Sequence, residues 1–259
     1  MRKILHLTDL HIGKGNCTAI CNSVITNIIS LLDGNDYIVV ITGDLIDDAT
    51  IASQLDEAVA QVKRLHDHFG TEHVLIAPGN HDCGTGTNGK SHLMKKFKEA
   101  IFNNPHEKFP KTDIVDNIAF IGLDSMAKEM DGLDGFGAEG ELGKTQRDDL
   151  KDILANDPEV NSCDYRVVYL HHRPVKFNLP GLLLKDHAEL KTVVRGKIDM
   201  LLFGHEHEAD YWHNESQWRI KRMYNAGMST RNPQKGPHRI IDLAGEPASD
   251  IDGSFYPTA

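Results

Sequence analysis

Apolar residues follow two spacings that alternate along this chain. Six short runs, 2–8 (RKILHLT), 37–42 (YIVVIT), 73–77 (HVLIA), 118–123 (IAFIGL), 166–170 (RVVYL) and 198–203 (IDMLLF), are rich in aliphatic and β-branched residues and predict strands. Between them the spacing becomes helical. Over 17–32, Ile20, Val24 and Ile28 recur every four residues, flanked by Cys21, Ile25 and Ile29. Over 53–69, Leu55, Ala58, Val59, Val62, Leu65 and Phe69 make one apolar stripe. Residues 143–155 and 186–194 predict two further helices. Near-continuous apolar strands alternating with helices predict an α/β sheet covered on both faces. After Gly204 the pattern changes: 217–224 and 238–243 read as strands with no helix between them, so a second set of strands closes the domain. The Gly-rich stretches 84–89 and 131–140 read as surface loops. One domain is expected over 1–244, followed by a polar, poorly ordered tail over 245–259.

Composition narrows the function classes. The chain has 259 residues, 40% hydrophobic and 25% charged, which is ordinary for a globular protein with an ample core. Its 38 acidic residues against 28 basic ones leave a net charge of −10. That makes a poor general nucleic-acid binder, because such affinity comes from neutralising phosphates. No stretch approaches the roughly 18–20 apolar residues needed to span a bilayer. The opening MRKILHLTDLHIG reads as a first strand rather than a signal peptide. Cys17, Cys21, Cys83 and Cys163 are expected to be reduced thiols of a cytoplasmic protein.

The candidate chemistry sits where the strands end. Asp9, Asp44, Asn80, His171 and His205 each follow a predicted strand. In α/β sheets the ligand crevice lies at the carboxyl ends of the strands, so five loops aim these side chains at one place. With His11 and His207 they make seven oxygen and imidazole donors and no thiolate, a set suited to Mn, Fe, Co or Zn. One metal with an open position takes about three protein ligands, so seven suggest two ions sharing a carboxylate. Two dications less the charges of Asp9 and Asp44 leave +2. A hydroxide and a phosphodiester monoanion neutralise that. His81 adjoins Asn80 and is placed to protonate or stabilise a departing alkoxide. Asp82 is placed to orient the His81 imidazole. In "YLHHRPV" adjacent histidines on a strand point to opposite faces, so only one of His171 and His172 is expected to reach the site.

The motifs D-x-H (Asp9, His11), G-D-x-x-D (Gly43, Asp44, Asp47), G-N-H-D (Gly79 to Asp82), a strand-ending His171 and G-H-x-H (Gly204, His205, His207) occur in that order. The pattern resembles the calcineurin-like metallophosphoesterase family from residue 4 to about 230. The resemblance implies a two-sheet β-sandwich flanked by helices, an α/β/β/α arrangement. It implies that Asp9, His11 and His207 hold one metal, that Asn80, His171 and His205 hold the other, and that Asp44 bridges. It favours His171 as the ligand of its pair. His172 would then turn to the opposite face as a core or hydrogen-bonded support. A catalytic histidine is implied at His81, and Asp47 is expected to support rather than ligate. Asp124 and Ser125 end a strand near the rim and stay outside the ligand set.

Where the family often has proline after "HH", this chain has Arg173, which either makes a two-point contact with a substrate phosphate or projects into solvent. Substrate contacts are thus expected from Asn80, His81 and Arg173. Within the family, "GELGKTQRDDLKDIL" (140–154), "GLDS" (122–125) and "NAGMS" (225–229) resemble the cyclic-nucleotide and glycerophosphodiester phosphodiesterases. The expected function is hydrolysis of small phosphodiesters by hydroxide generated at a binuclear centre, with a small-molecule substrate, no membrane partner and an oligomer possible. The competing readings are a DNA nuclease of the double-strand-break-repair type, which the net charge and the lack of a basic stripe oppose, and a phosphomonoesterase such as a protein phosphatase. A metal-binding scaffold without activity is a fourth.

Overall fold

A computed structural model describes residues 1–87, 89–131, 138–175, 182–231 and 238–246, and the backbone of 251–253. The strands are β1 (Lys3–Leu7), β2 (Tyr37–Thr42), β3 (Val74–Ala77), β4 (Lys111–Val115), β5 (Ile118–Gly122), β6 (Tyr165–Tyr169), β7 (Met200–Phe203), β8 (Ala209–Glu215), β9 (Ile220–Ala226), β10 (His238–Ile241) and β11 (Ile251–Gly253). The helices are α1 (Cys17–Leu31), α2 (Ala52–Phe69), α3 (Ser91–Phe102), α4 (Gly143–Asn156), α5 (Pro158–Ser162) and α6 (His187–Val194).

Two sheets result, one in the order β11-β10-β1-β2-β3 and one in the order β4-β5-β6-β7-β9-β8. Within each, the strands that precede the candidate ligands run parallel: β1, β2 and β3 in the first, β6 and β7 in the second. The expected two-sheet sandwich flanked by helices is therefore what forms.

Strand alternation explains why both faces of the inner strands are apolar. Ile38 and Val40 of β2 face Phe120, Val167 and Leu202 of the other sheet, in the core between the sheets. Val39 and Ile41 face the opposite way, onto the stripe of α1 and α2. In β7, Met200 and Leu202 enter the inter-sheet core, while Leu201 and Phe203 pack under α4 and α6. Four layers share three apolar interfaces, and truncating one of these buried leucines costs about 2–5 kcal/mol.

Several elements escaped the apolar pattern. α3 lies in a stretch to which the apolar spacing assigns no element, because only Leu93, Met94 and Phe97 of it are buried. β4 and β8 are edge strands with mostly half-exposed or exposed residues and carry little hydrophobic signal. The expected tail supplies β11, whose backbone pairs with β10, so the sheet extends into it. Residues 132–137 of the predicted 131–140 loop, and 247–250 and 254–259 of the tail, lie outside the described residues. None of the four cysteines forms a disulfide, and all are buried. Among the described residues no helix is long and apolar enough to cross a membrane.

A buried histidine is built into the sandwich. His6 of β1 is fully buried, with its Nε2 2.9 Å from Thr42 Oγ1. Burial, helped by the nearby positive charge of Arg239, pushes its imidazole down to about 3. An unfolded histidine titrates near roughly 6.5. Between those values the unfolded chain takes up a proton that the folded chain refuses. The stabilisation from neutral His6 is therefore complete above the unfolded value and is lost as pH falls through the window. From pH 7 to pH 5 that loss is about 2 kcal/mol. Urea unfolding at both pH values should show His6→Gln losing about that much less than the parent. Parallel losses would refute the assignment.

Candidate metal centre

Each candidate ligand follows a strand by two to four residues, and the shared direction of those strands brings all of them to one rim. The sheets are joined there directly: the His171 Nδ1–H donates to the Thr42 carbonyl at 2.7 Å. Backbone bonds from Asp9 N–H to Gly43 O (3.1 Å) and from His11 N–H to Asp44 O (3.0 Å) tie the first two loops together. The turns are tight. Asp9, His11, Asp44, His205 and His207 have φ of +52°, +43°, +54°, +80° and +58°. Side chains rarely accept that left-handed region, and it persists only where the surroundings over-determine it. Two motif glycines permit the approach of the loops. A Cβ at Gly79 would stand 2.2 Å from Asp44 Oδ1, and one at Gly204 would stand 1.9 Å from Thr8 Oγ1.

Asp9, His11 and His207 form one cluster. Asp9 Oδ2 accepts from Thr8 Oγ1 (2.7 Å) and from the His205 N–H (2.9 Å). Its Oδ1 is buried without a hydrogen-bond partner and lies 3.3 Å from His207 Nε2 and 3.8 Å from His11 Nε2. Those two nitrogens are 2.8 Å apart.

Asp44, His171 and His205 form a second cluster, and Asn80 completes it. Because His171 Nδ1–H is committed to Thr42, a neutral His171 presents a bare lone pair at Nε2. That lone pair faces Asn80 Oδ1 (2.9 Å), His205 Nδ1 (3.1 Å) and Asp44 Oδ2 (3.2 Å). Asn80 is oriented by its own Nδ2–H donating to Gly86 O at 2.6 Å, so its oxygen is what faces inward. The same Asp44 Oδ2 lies 3.6 Å from His11 Nε2, between the clusters. Its Oδ1 is taken by the His81 N–H at 2.9 Å.

This donor set fits a pair of cations. Buried carboxylate oxygens and imidazole lone pairs crowd together with too few protons to satisfy them, and such groups are costly unless paired with positive charge. The electrostatics say the same. Burial would lower the His171 imidazole, yet Asp44, then Asp9, raise it to about 9, so a proton there stands in for a cation. Burial works against ionisation of Asp9, but His11 and His207 hold its carboxyl well below the usual range. His205, where burial and the charge of His171 act together, is pushed down to about 3 and keeps its lone pair.

The supporting residues partly depart from expectation. Asp47 supports as expected: its Oδ1 lies 3.2 Å from His11 Nδ1, and its carbonyl accepts the His81 Nδ1–H at 2.6 Å. Asp82, expected to orient His81, does not. Its buried carboxylate accepts from the backbone N–H groups of Gly79 (2.8 Å), Asp44 (2.9 Å), Leu45 (2.8 Å) and Ile46 (3.2 Å). The turn at 81–83 points it into the fold, where it pins the Asp44 loop to the Asn80 loop. Burial and the nearby Asp44 charge push it up to about 7, against the pull of those N–H donors.

His172 is buried and hydrogen-bonded as expected, with Nδ1 2.8 Å from Ser125 Oγ. It does not turn to the opposite face. Its ring lies 4.3 Å from that of His205, because β6 ends at Tyr169 and the strand alternation stops before the pair. Arg173 does not project into solvent either: it is buried and ion-paired with Glu206. Residues without a motif signal also contribute. Thr8 braces Asp9, Thr42 orients His171, and Thr230 Oγ1 donates to Leu10 O at 2.9 Å beneath the first loop. A separate cavity of about 670 Å³ beside α3 and α4 is lined in part by Lys95, Lys98, Lys128 and Asp124, and none of the seven candidate ligands lines it.

The sequence matches the family model described as calcineurin-like phosphoesterase over residues 2–209. Among solved structures, purple acid phosphatase PPD1 from yellow lupin (Lupinus luteus) seeds superposes with a TM-score of 0.61 at 15% identity, covering 87% of this chain and 44% of that one. This chain thus spans less than half the length of that phosphatase. A second solved chain superposes with a TM-score of 0.60 at 14% identity over 98% of this chain and 99% of its own. At such identities the likeness is one of fold. No curated protein matches the sequence.

Four donors on one carboxylate make Asp82 a sensitive test of how the loops are held. Asp82→Asn keeps the shape but turns an amide NH₂ toward backbone N–H groups. It should lower the unfolding free energy of metal-free protein by about 2–4 kcal/mol, since each buried unsatisfied donor costs about 1–3 kcal/mol. An unchanged denaturation midpoint would show that the loops hold without it.

Proposed function

Because this chain belongs to the calcineurin-like phosphoesterase family, whose members hydrolyse phosphate esters, we propose that it is a binuclear-metal phosphodiesterase acting on small diesters. Asp9, His11 and His207 would hold one cation and Asn80, His171 and His205 the other, with the Asp44 carboxylate offered to both. The observation that carries this reading is the position of Asp44 Oδ2, 3.6 Å from His11 Nε2 and 3.2 Å from His171 Nε2, with a donor cluster on either side. When bound, two such cations polarise phosphoryl oxygens and make water nucleophilic near neutral pH.

The chain's own residues supply the rest. His81 is one-fifth exposed, and its ring stands 4.7 Å from that of His11, so it borders the centre on the accessible side. Its Nδ1–H is held by the Asp47 carbonyl, which leaves Nε2 as the atom that delivers a proton to the departing alkoxide. His207, with a third of its side chain exposed, marks the open edge of the first cluster. Charge favours a diester: Asp9 and Asp44 leave two dications with a net +2, which a monoanionic ester and one hydroxide balance. The stretches at 122–125, 140–154 and 225–229 support small diesters, among them cyclic nucleotides and glycerol diesters, over nucleic acid.

A panel of bis-p-nitrophenyl phosphate, p-nitrophenyl phosphate, cyclic AMP and single-stranded DNA, assayed with Mn²⁺ and after chelation, tests the reading. Diester hydrolysis that chelation abolishes and Mn²⁺ restores is expected. Preference for the monoester would make the protein a phosphomonoesterase instead. Asp44→Asn should cut kcat by more than about a hundredfold and reduce metal at both positions by elemental analysis. Near-normal turnover with two ions bound would remove the bridge. His81→Ala should keep both ions and slow alkyl diesters by about 10²–10⁴-fold, with a smaller effect on p-nitrophenyl diesters, which leave without a proton. Equal slowing of both substrate types would exclude proton donation.

A further inference from the structure

Backbone pairing between β6 and β7 continues past the strands, with Gly204 N–H donating to His171 O at 2.9 Å. Beyond that point the next link between the two loops is made by side chains. Arg173 follows the two histidines after β6, and Glu206 lies between His205 and His207 after β7. Their ion pair is nearly closed to water, with side chains 8% and 4% exposed. The Arg173 guanidinium also stands 4.8 Å from the ring of Trp212 on β8, and Trp212 itself packs 5.7 Å from Phe203 of β7. Asp210 Oδ2, at 3.7 Å from Arg173 Nη2, adds a second carboxylate at the rim.

The location of this pair is informative. His205 and His207 both hold left-handed backbone, at +80° and +58°, and their side chains go to different donor clusters. A turn with two such residues relaxes unless something over-determines it. Glu206 is the residue between them, and its carboxylate anchors the turn from outside through a side chain, alongside bonds from the His205 N–H to Asp9 Oδ2 (2.9 Å) and from Arg231 Nη1–H to the His207 carbonyl (2.7 Å). A buried ion pair is costly to form and costlier to break, because loss of one partner strands the other charge. It therefore works better as a fixed strut than as a ready substrate contact.

We propose that Arg173 is a positioning residue: with its guanidinium resting on Trp212 and paired with Glu206, it sets the 205–207 turn, so that His205 and His207 are presented to two separate cations. This rests on the metal reading above. It assigns the guanidinium to the protein's own carboxylate rather than to a substrate phosphate.

The experiment titrates Mn²⁺ into metal-free protein by calorimetry for the parent, Arg173→Ala, Glu206→Gln, the double variant and the charge swap Arg173→Glu with Glu206→Arg. Thermal unfolding of each metal-free protein and KM for bis-p-nitrophenyl phosphate at saturating Mn²⁺ are measured alongside. Each single variant should weaken Mn²⁺ binding by about tenfold or more, as loss of a residue that orients a ligand does. The double variant should bind no worse than the weaker single variant, the swap should recover part of the loss, and KM should stay near the parent value. Glu206→Gln preserves volume and keeps the test valid if Arg173→Ala does not fold. Parental Mn²⁺ affinity in both singles, with only the unfolding temperature lowered, would overturn the positioning role. So would a raised KM at unchanged Mn²⁺ affinity, which would put Arg173 on the phosphate. A parent that takes up fewer than two Mn²⁺ would instead overturn the metal reading itself.

Discussion

The rim of this molecule depends on one electrostatic constraint: carboxylate oxygens and imidazole lone pairs from two different sheets face each other at about hydrogen-bond distance, with few protons to share. His171 shows it most clearly. In its neutral form the one N–H is spent on the Thr42 carbonyl, so the nitrogen that faces Asn80, Asp44 and His205 has only a lone pair to offer. Such a cluster repels itself unless positive charge enters it. A proton on His171 provides that in part, and two cations provide it in full.

Holding a self-repelling cluster together demands a rigid frame, and the sandwich supplies one. The inner strands bury both faces, so none of them can shift without opening either the inter-sheet core or a helix interface. The loops add little freedom. Asp82 gathers four backbone donors from two of them, Thr8 and Thr230 brace the first, and the Arg173–Glu206 pair spans the last two. The left-handed backbone at five of the seven candidate ligands is where the strain of this arrangement is carried.

That division of labour also accounts for the chemistry available at the rim. The buried donors sit where water is excluded, and His81 and His207 border the accessible side. A substrate approaching from there meets one histidine whose free nitrogen is defined by its bond to Asp47, while the nearby arginine is engaged with Glu206. Chemistry at such a rim relies on concentrated positive charge and one positioned proton, which suits hydrolysis of a phosphate ester.

Much of this was legible in the chain itself. The strands and helices of the frame follow from apolar spacing because each buries a face, and the candidate ligands are visible because parallel strands deliver their carboxyl-terminal loops to one edge. The elements that were missed, α3, α5, β4, β8 and β11, are short, edge-located or largely half-exposed, and burial leaves a weak imprint there. What only tertiary structure decided is direction and pairing. Asp82 turns inward to backbone amides rather than to His81, His172 stays beside His205 because its strand has already ended, and Arg173 is matched with Glu206, thirty-three residues away. Local sequence sets which face a residue takes while a strand or helix lasts. Past the end of the element, partners come from distant loops, and only the folded packing determines which of them meet.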